Sequence, residues 1–270
     1  MPDRILVFIP CYNCASQIGR VLKQFTPEIG RRFEEILVLD NGSKDGTVES
    51  AMAAGAVNTS IKKLTIGRNR ENYNLGGSHK VAFAYALANK YSHVVVLHGD
   101  DQGDINDLLP ILDQGLHNKF DACLGSRFMP ASKLIGYSTF RIFGNHVFNV
   151  LFSIGSLSKV MDLGSGLNIF AESLFSSTHI TKFSDDLRFN IYLLLYAIDQ
   201  KHKLRYFPIS WREDDQISNV KMTSQALKTL AILQDYIVRR PFFRSHDHRS
   251  KAYSDYGFEV LAQYGNGNSL

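Results

Sequence analysis

Acidic side chains follow the most clearly patterned strand of this sequence. The run His93–Leu97 is short, continuous and β-branched, which is typical of a buried strand. Asp100, Asp101 and Asp104 come directly after it, so three carboxylates lie within five positions. Like charges this close repel unless a cation or solvent separates them, and oxygen ligands suit Mg²⁺ or Mn²⁺, which in turn bind phosphates. We therefore predict a divalent-cation site here; the alternative is an acidic loop in which Asp104 caps the next helix.

Three further strands end in residues that could bind a ligand. Asp40 terminates a buried strand and could hold a ribose or a base edge, whereas nearby Asp45 fits a helix cap better. Arg127 follows the strand Ala122–Gly125 and fits a phosphate clamp, with a surface ion pair as the alternative. The segment Pro10–Asn13 joins another strand to a helix. Because the carboxyl ends of parallel strands meet at one edge of a sheet, these residues are expected to lie close together.

Alternating strands and helices position these residues. Short apolar runs alternate with amphipathic stretches, which predicts right-handed βαβ units and a mostly parallel sheet flanked by helices. The predicted strands are Ile5–Ile9, Glu35–Leu39, Ile61–Ile66, His93–Leu97, Ala122–Gly125, Leu167–Phe170 and Leu204–Ile209. The predicted helices are Ser16–Phe25, Asp45–Ala54, Gly77–Asn89, Ile105–Leu116, Phe140–Ser153, Asp186–Asp199 and Thr223–Val238. We expect an α/β main domain over residues 1–220, a basic helical extension over 221–245 and a flexible tail over 246–270.

Composition excludes several classes of protein. With 44% hydrophobic and 21% charged residues in 270, the chain is neither disordered, collagen-like nor a coiled-coil rod. Three cysteines are too few for a disulfide scaffold, which favours the cytoplasm. We expect no signal peptide and no transmembrane helix. Residues 221–251 hold seven basic and two acidic residues. This excess suggests an anionic partner such as a phospholipid surface. The alternative is a solvated helix face followed by a loose tail.

The motifs together resemble the GT-A glycosyltransferases of family 2, in particular the branch of dolichyl-phosphate mannose synthase and the bacterial polyprenyl-phosphate glycosyltransferases. The resemblance extends over roughly residues 4–230 and depends on the order and spacing of short motifs. These motifs are IPCYN at Ile9–Asn13, VLDNGSKDGT at Val38–Thr47, NLGGSHKVAFAYAL at Asn74–Leu87 and VVVLHGDDQGD at Val94–Asp104, followed by LGSRF, DLGSGLNIF and FPISWREDDQISNVK. It implies a Rossmann-like GT-A fold in a single domain, with a C-terminal helical extension.

The resemblance also implies roles for the matching positions. Asp100 and Gln102 would bind Mg²⁺ or Mn²⁺ and the diphosphate, and Arg127 and Arg141 would bind an acceptor phosphate. The donor would be a sugar linked to GDP, UDP or dTDP, and the acceptor a polyprenyl phosphate or a glycan; no nucleic-acid partner is expected. The residues implied to contact the donor are Pro10, Tyr12, Asn13, Asp40, Gly76, Asp101, Asp162, Ser165 and Gly166.

Two departures from the family pattern affect this interpretation. Cys14 replaces the usual glutamate, and His98 replaces the first aspartate of the metal motif. Imidazole is a poorer ligand for Mg²⁺ than for Mn²⁺, and Asp101 could supply the missing carboxylate. The resemblance therefore allows either an inverting, metal-dependent transferase or a catalytically weak module that binds a nucleotide sugar.

The acceptor decides whether a general base is needed. A hydroxyl acceptor needs one, and Asp186 or its neighbour Asp185 is the candidate, although we favour the alternative that both carboxylates stabilise the N-terminus of a helix. A lipid phosphate needs only positioning by Arg127 and Arg141, which we favour. A polyprenyl acceptor implies contact with the cytoplasmic face of a membrane, through the apolar stretch 140–157 and the basic extension. That stretch could equally be a buried helix or a dimer surface.

Overall fold

The computed structural model describes residues 3–214, 222–251 and 255–265, and it is built around one sheet of eight strands. The strands of this sheet follow the spatial order β10-β3-β2-β1-β4-β7-β5-β8. They are β1 (Ile5–Cys11), β2 (Glu35–Asp40), β3 (Lys63–Asn69), β4 (His93–Leu97), β5 (Ala122–Ser126), β7 (Leu167–Ala171), β8 (Leu204–Pro208) and β10 (Phe258–Gly265). A separate ribbon pairs β6 (Lys133–Ile135) with β9 (Ser210–Arg212). The predicted strands are therefore all present.

The sheet is mixed and mostly parallel. Strands β3, β2, β1 and β4 run parallel, whereas β7 lies antiparallel between β4 and β5. Helices flank this sheet, because each parallel connection must cross one of its faces. The α-helices are α1 (Ala15–Lys23), α2 (Pro27–Gly30), α3 (Thr47–Val57), α4 (Asn74–Ala88), α5 (Leu109–Asp113), α6 (Thr139–Ser156), α7 (Glu172–Phe175), α8 (Phe189–Asp199), α9 (Met222–Val238) and α10 (Arg240–Ser245). The α/β prediction is confirmed.

Two buried clusters fill the two faces of the sheet, because successive side chains of a strand point to opposite faces. In β1, Leu6 and Phe8 pack with α4 and α8, and Val7 and Ile9 pack with α1 and α3. Strand β4 is buried over its whole length, as its continuous apolar run predicts. No helix within the described parts of the chain is long and apolar enough to cross a membrane.

One predicted helix is broken into three short pieces. The sequence analysis expected a helix over Ile105–Leu116, but the structure has a 3-10 turn at Ile105–Leu108, then α5, then a second 3-10 turn at Leu116–Asn118. Pro110 lies at the start of α5, where its missing N–H cannot continue a helix from the preceding turn. Gly115 then adopts a left-handed conformation with a φ of 60°, which separates α5 from the second turn.

Part of the segment that we expected to be a flexible tail is a strand. Residues 258–265 form β10, antiparallel to β3 at the edge of the sheet. The ring of Phe258 packs edge-on against Tyr85 of α4, with 5.5 Å between ring centroids. Strand β10 satisfies the hydrogen-bonding groups that β3 would otherwise expose at the sheet edge. The expectation of a loose tail over 246–270 is therefore wrong for these residues, and residues 252–254 and 266–270 of that segment lie outside the described chain.

Candidate active site

A cleft of about 480 Å³ lies at the carboxyl ends of β1 and β4. Pro10 lines it from the end of β1 and Tyr12 from the loop that follows. Asp100 lines it from the loop after β4, and Asp186 from the turn before α8. Tyr12 is 53% exposed, so its ring is available to a ligand. The sheet thus brings four of the predicted site residues to one opening, at the edge where parallel α/β sheets bind ligands. The remaining lining residues are Cys11, Cys14, Asn41, Asn72, Asn74, Leu75, Ser78, His98, Gly99 and Leu187.

Asp100 is the carboxylate of the acidic loop that faces this cleft. Its Oδ1 accepts a hydrogen bond from the backbone N–H of Gln102, at 3.3 Å. Burial raises the pKa of Asp100 to about 6, with a smaller contribution from the negative charge of Asp101. A buried carboxylate with a raised pKa gains from a nearby cation, because the cation compensates the charge that burial disfavours.

His98 lines the same cleft, two residues before Asp100. Burial lowers the pKa of His98 to about 4, and the positive charge of Arg127 adds to this effect, so the imidazole is neutral near pH 7. Its Nε2 atom is buried without a hydrogen-bond partner among the described residues. A neutral imidazole with an unpaired nitrogen is a metal ligand by type. The backbone of Gly166 packs closely against the ring of His98. A Cβ at position 166 would lie only 2.8 Å from Cγ of His98, so a larger residue would not fit there.

These two residues fit a divalent cation only together with a substrate. In the described part of the chain, no group of three or more histidine, cysteine or acidic residues is arranged as a metal centre. Mg²⁺ in phosphate-transfer sites is commonly held by one or two protein carboxylates plus the phosphates of the substrate. Asp100 supplies the one carboxylate of that smaller donor set, His98 would add a nitrogen that suits Mn²⁺ better than Mg²⁺, and a diphosphate would complete the site.

Asp101 faces away from the cleft, and the proposal that it replaces the missing carboxylate is therefore wrong. Its φ of 60° turns the chain, and its side chain is buried. One carboxylate oxygen pairs with Arg20 Nε at 2.6 Å and with Arg212, and the other accepts from Gln24 at 3.2 Å. Gln102 lies in the same separate depression, so neither it nor Asp101 lines the cleft.

Asp40 and Asn13 organise the loops beside the cleft rather than lining it. Asp40 is fully buried, pairs with Arg68 Nε at 3.0 Å and accepts from the N–H groups of Gly42 and Ser43. Asn13 has a positive φ of 52°, and its N–H donates to Ser43 Oγ at 2.8 Å. These contacts fasten the loop after β1 to the loop after β2, and their predicted contact with a donor stays a prediction.

Gly76 has a packing role at the start of α4. Its N–H donates to the backbone carbonyl of Asp185 at 2.6 Å. A Cβ at this position would lie 2.6 Å from Cβ of Phe189 and 2.8 Å from the carbonyl carbon of Asp185, closer than side chains tolerate. The absence of a side chain at Gly76 therefore lets α4 touch the turn that carries Asp186.

Arg127 is held by Asp162 in a two-pronged ion pair. The Nε and Nη2 atoms of Arg127 donate to the two carboxylate oxygens of Asp162 at 2.9 and 2.8 Å. Burial alone would lower the pKa of this guanidinium, but the negative charge of Asp162 outweighs burial and raises the pKa above its usual value. Ser165 is buried beside this pair and donates to the backbone carbonyl of Leu167 at 3.2 Å. None of these three residues lines the cleft.

Arg141 is paired with Glu213, a contact that the sequence analysis missed. Its Nη1 donates to both carboxylate oxygens of Glu213, at 2.7 and 2.6 Å. The aromatic ring of Tyr137 lies 4.4 Å from the guanidinium carbon of Arg141 and 5.9 Å from that of Arg127. The two arginines thus meet at one tyrosine. Two carboxylates offset their charges, so an anionic acceptor would have to compete for at least one guanidinium.

Asp186 is an ionised carboxylate at the cleft. Burial raises the pKa of Asp186, but hydrogen bonds from Arg188 outweigh it and hold the pKa below its usual range. Ser184 Oγ also donates to it at 2.9 Å. Its neighbour Asp185 is fully buried and pairs with Lys80, so only Asp186 is placed to act on a substrate. Lys80 was missed by the sequence analysis, although a lysine inside the apolar run of α4 is a signal of a buried ion pair.

Three arginines of the basic C-terminal segment form ion pairs within the chain. Arg239 pairs with Asp235, and Arg240 and Arg244 both pair with Asp199 of α8. Of these two carboxylates, only Asp199 adds a negative charge from outside the segment, so the segment keeps an excess of positive charge, and its interpretation as a surface for an anionic partner stays a prediction.

Known proteins share this chain's sequence pattern and fold. The chain is 28% identical to Glycosyltransferase AglJ of Haloferax volcanii, in a match that covers 67% of this chain and 54% of that protein. It is 22% identical to dolichyl-phosphate beta-glucosyltransferase of Saccharomyces cerevisiae, over 87% of this chain and 73% of that protein. The chain spans between about half and two thirds of the length of the first curated relatives that it matches.

The fold is also that of a solved enzyme. Glucosyl-3-phosphoglycerate synthase from Mycobacterium tuberculosis, crystallised with Mn²⁺ and UDP-glucose, superposes with a TM-score of 0.63 at 17% identity, over 87% of this chain and 79% of that one. At this identity the likeness establishes the fold alone. The sequence model for glycosyl transferase family 2 matches residues 6–164, more than half of the chain. The resemblance found in the sequence is thereby confirmed, and the chain belongs to glycosyl transferase family 2.

Proposed function

We propose that this chain transfers a sugar, with inversion, from a nucleoside diphosphate sugar to the phosphate of a polyprenyl acceptor. The observation that carries the proposal is the convergence of Tyr12, Asp100 and Asp186 on one cleft at the carboxyl edge of the sheet. This cleft of about 480 Å³ lies within the range of small-molecule sites.

The donor half of the reaction depends on the walls of this cleft. Pro10 and the exposed ring of Tyr12 hold the nucleoside, and Asp100 with His98 would hold Mg²⁺ or Mn²⁺ beside the diphosphate. When bound, the cation stabilises the negative charge of the departing nucleoside diphosphate. Asp100 contributes a carboxylate whose pKa is raised by burial, so a bound cation would stabilise its charged form. His98 contributes a neutral nitrogen.

The acceptor half depends on helix α6 and the loop before it. Arg141 lies in the first turn of α6, beside Tyr137 and Arg127. The same helix exposes large apolar side chains, among them Phe140 and Phe143, which are 73% and 68% exposed. A cationic group at the start of an apolar helix face suits a phosphate with a lipid tail, and we place the protein at the cytoplasmic face of a membrane.

A hydroxyl acceptor on a glycan is the second candidate, and two observations favour it. Asp162 and Glu213 already engage the two arginines, and Asp186 offers an ionised carboxylate in the cleft. With a hydroxyl acceptor, Asp186 would take the acceptor proton as the hydroxyl oxygen attacks the anomeric carbon. With a phosphate acceptor that proton is already absent, and Asp186 would only orient the sugar.

Calorimetric titration tests the donor site first. Purified protein is titrated with GDP, UDP and dTDP, with and without Mn²⁺, and the same is done with Asp100→Asn. We expect one nucleotide to bind with metal dependence and the variant to lose that binding. Transfer of the sugar is then measured to a short polyprenyl phosphate and to a glycan. Binding without turnover on either acceptor supports a nucleotide-sugar-binding module, and absence of binding by the folded protein contradicts the donor site.

A further inference from the structure

A second groove, of about 650 Å³, lies between the end of α6 and strand β8. It shares no lining residue with the active-site cleft. Lys159 lines it from the loop after α6, Lys201 from the turn after α8 and Arg205 from β8. Three cationic side chains from three parts of the chain therefore surround one opening.

The charges of this groove are not compensated. Lys159, Lys201 and Arg205 are exposed, and none of them pairs with a carboxylate in the described parts of the chain. The groove lining contains no acidic residue among those described. This differs from Arg127 and Arg141, each of which is paired with a carboxylate. An unpaired cluster of cations attracts an anion more strongly than isolated surface charges do. A phosphate offers several acceptor oxygens, so one phosphate in this groove could meet the lysine and arginine side chains together.

An apolar stripe on α6 ends close in sequence to this groove. Most of its members recur every three or four residues, with Val150 and Leu151 adjacent, which places them on one face of the helix and its C-cap. The stripe ends at Leu157, which is 92% exposed and lies two residues before Lys159. Contiguous exposed apolar patches of this kind mark interaction surfaces. The stripe consists of Phe140, Phe143, Val147, Val150, Leu151, Ile154 and Leu157.

We propose that the groove binds the phosphate headgroup of an anionic phospholipid while the apolar stripe lies in the same membrane leaflet. The stripe ends two residues before Lys159, which favours a lipid over a free phosphate, because a membrane offers anionic headgroups to the cations and an apolar interior to the stripe. The 18 residues of α6 span about 27 Å. The groove would therefore anchor one end of the helix and direct Arg141, at the other end, toward a lipid-linked acceptor. This inference rests on the proposed polyprenyl acceptor.

Vesicle binding by the full chain tests this inference. Partitioning is measured on phosphatidylcholine vesicles with and without phosphatidylglycerol, for the natural protein and for Lys159→Gln/Lys201→Gln/Arg205→Gln. Each basic residue near an anionic surface strengthens binding to the membrane. The triple variant should therefore partition about 100-fold less onto the vesicles that contain phosphatidylglycerol. The control Lys23→Gln/Arg31→Gln/Lys90→Gln removes two lysines and one arginine that are exposed elsewhere. It should stay within a few-fold of the natural protein.

A variant of the apolar stripe and a titration with inorganic phosphate complete the experiment. Phe143→Gln/Ile154→Gln, on the stripe, should weaken binding to both kinds of vesicle. Equal loss in the two triple variants would overturn the groove, because net charge alone would then explain binding. Tight binding of inorganic phosphate without preference for anionic vesicles would also overturn the lipid assignment. Nucleotide binding, measured on the same preparations, separates these failures from failure of the proposed transferase, since the groove shares no residue with the cleft.

Discussion

Lys80 and Asp185 form a buried ion pair next to the cleft residue Asp186. The Nζ atom of Lys80 lies 2.6 Å from Oδ1 of Asp185, and the two side chains are 2% and 0% exposed. Lys80 also donates to the backbone carbonyl of Phe183 at 2.6 Å, and the hydroxyl of Tyr256 donates to Asp185 at 2.9 Å. Helix α4, the turn before α8 and the segment before β10 are thus fastened at one point.

Removing the charge of Lys80 should destabilise the protein strongly. Lys80→Met leaves Asp185 buried and uncompensated, which typically costs about 3–5 kcal/mol. We expect this loss in the free energy of unfolding, measured with urea. Lys80→Met/Asp185→Leu removes both charges and should recover much of the stability, because a buried pair contributes little over an apolar replacement. A single variant as stable as the natural protein would show that the pair is not buried in solution.

Nucleotide binding should depend on the carboxylate of Asp100 and therefore on pH. Below a pKa of about 6 this group is protonated and cannot hold a cation, so Mn²⁺-dependent binding should strengthen as the pH rises through about 6. Asp100→Asn should lose most of the Mn²⁺-dependent affinity and its pH dependence, as measured by calorimetry. The matched control is Asp104→Asn, because Asp104 only caps the 3-10 turn at Ile105–Leu108. If Asp100→Asn binds like the natural protein, another group holds the cation.

Neutralising Glu213 should free Arg141 for an anionic acceptor. Glu213→Gln keeps the shape of the side chain but removes the charge that holds the guanidinium. We expect the KM for a polyprenyl phosphate to fall several-fold while the affinity for the nucleotide is unchanged. Glu34→Gln, which disrupts an exposed pair with Lys62, is the control and should change neither. An unchanged or higher KM for Glu213→Gln would argue for the glycan acceptor.

Adding a methyl group at Gly76 should separate α4 from the turn that carries Asp186. In Gly76→Ala the new Cβ would overlap Phe189, and overpacking of this kind costs about 1–3 kcal/mol. Thermal unfolding should show the loss, and turnover should fall because Asp186 shifts. Gly19→Ala in α1 is the matched control: its Cβ meets no atom within 4 Å, so the better helix propensity of alanine should raise stability slightly. Equal behaviour of the two variants would contradict the close contact.

The central strands and their alternation with helices were predictable from local sequence. Runs such as His93–Leu97 are buried on both faces, so they contain almost only apolar residues, and the alternation with helices specifies a parallel sheet. The loops after these strands then had to meet at one edge, which placed Tyr12 and Asp100 correctly at the cleft. Strand β10 was not predictable, because it forms only by pairing with β3, whose residues lie between 189 and 202 positions away.

The sequence by itself determined the α/β fold, the family and the edge of the sheet that carries the site, because these follow from short-range hydrophobic patterns and motif order. Only the tertiary structure decided which charged residues face the cleft. Asp101 turns away to Arg20 and Arg212, Asp162 holds Arg127, and Glu213 holds Arg141. Each pair joins residues between 35 and 111 positions apart. An ion pair depends on distance in space and on burial, and neither quantity can be calculated from position along the chain.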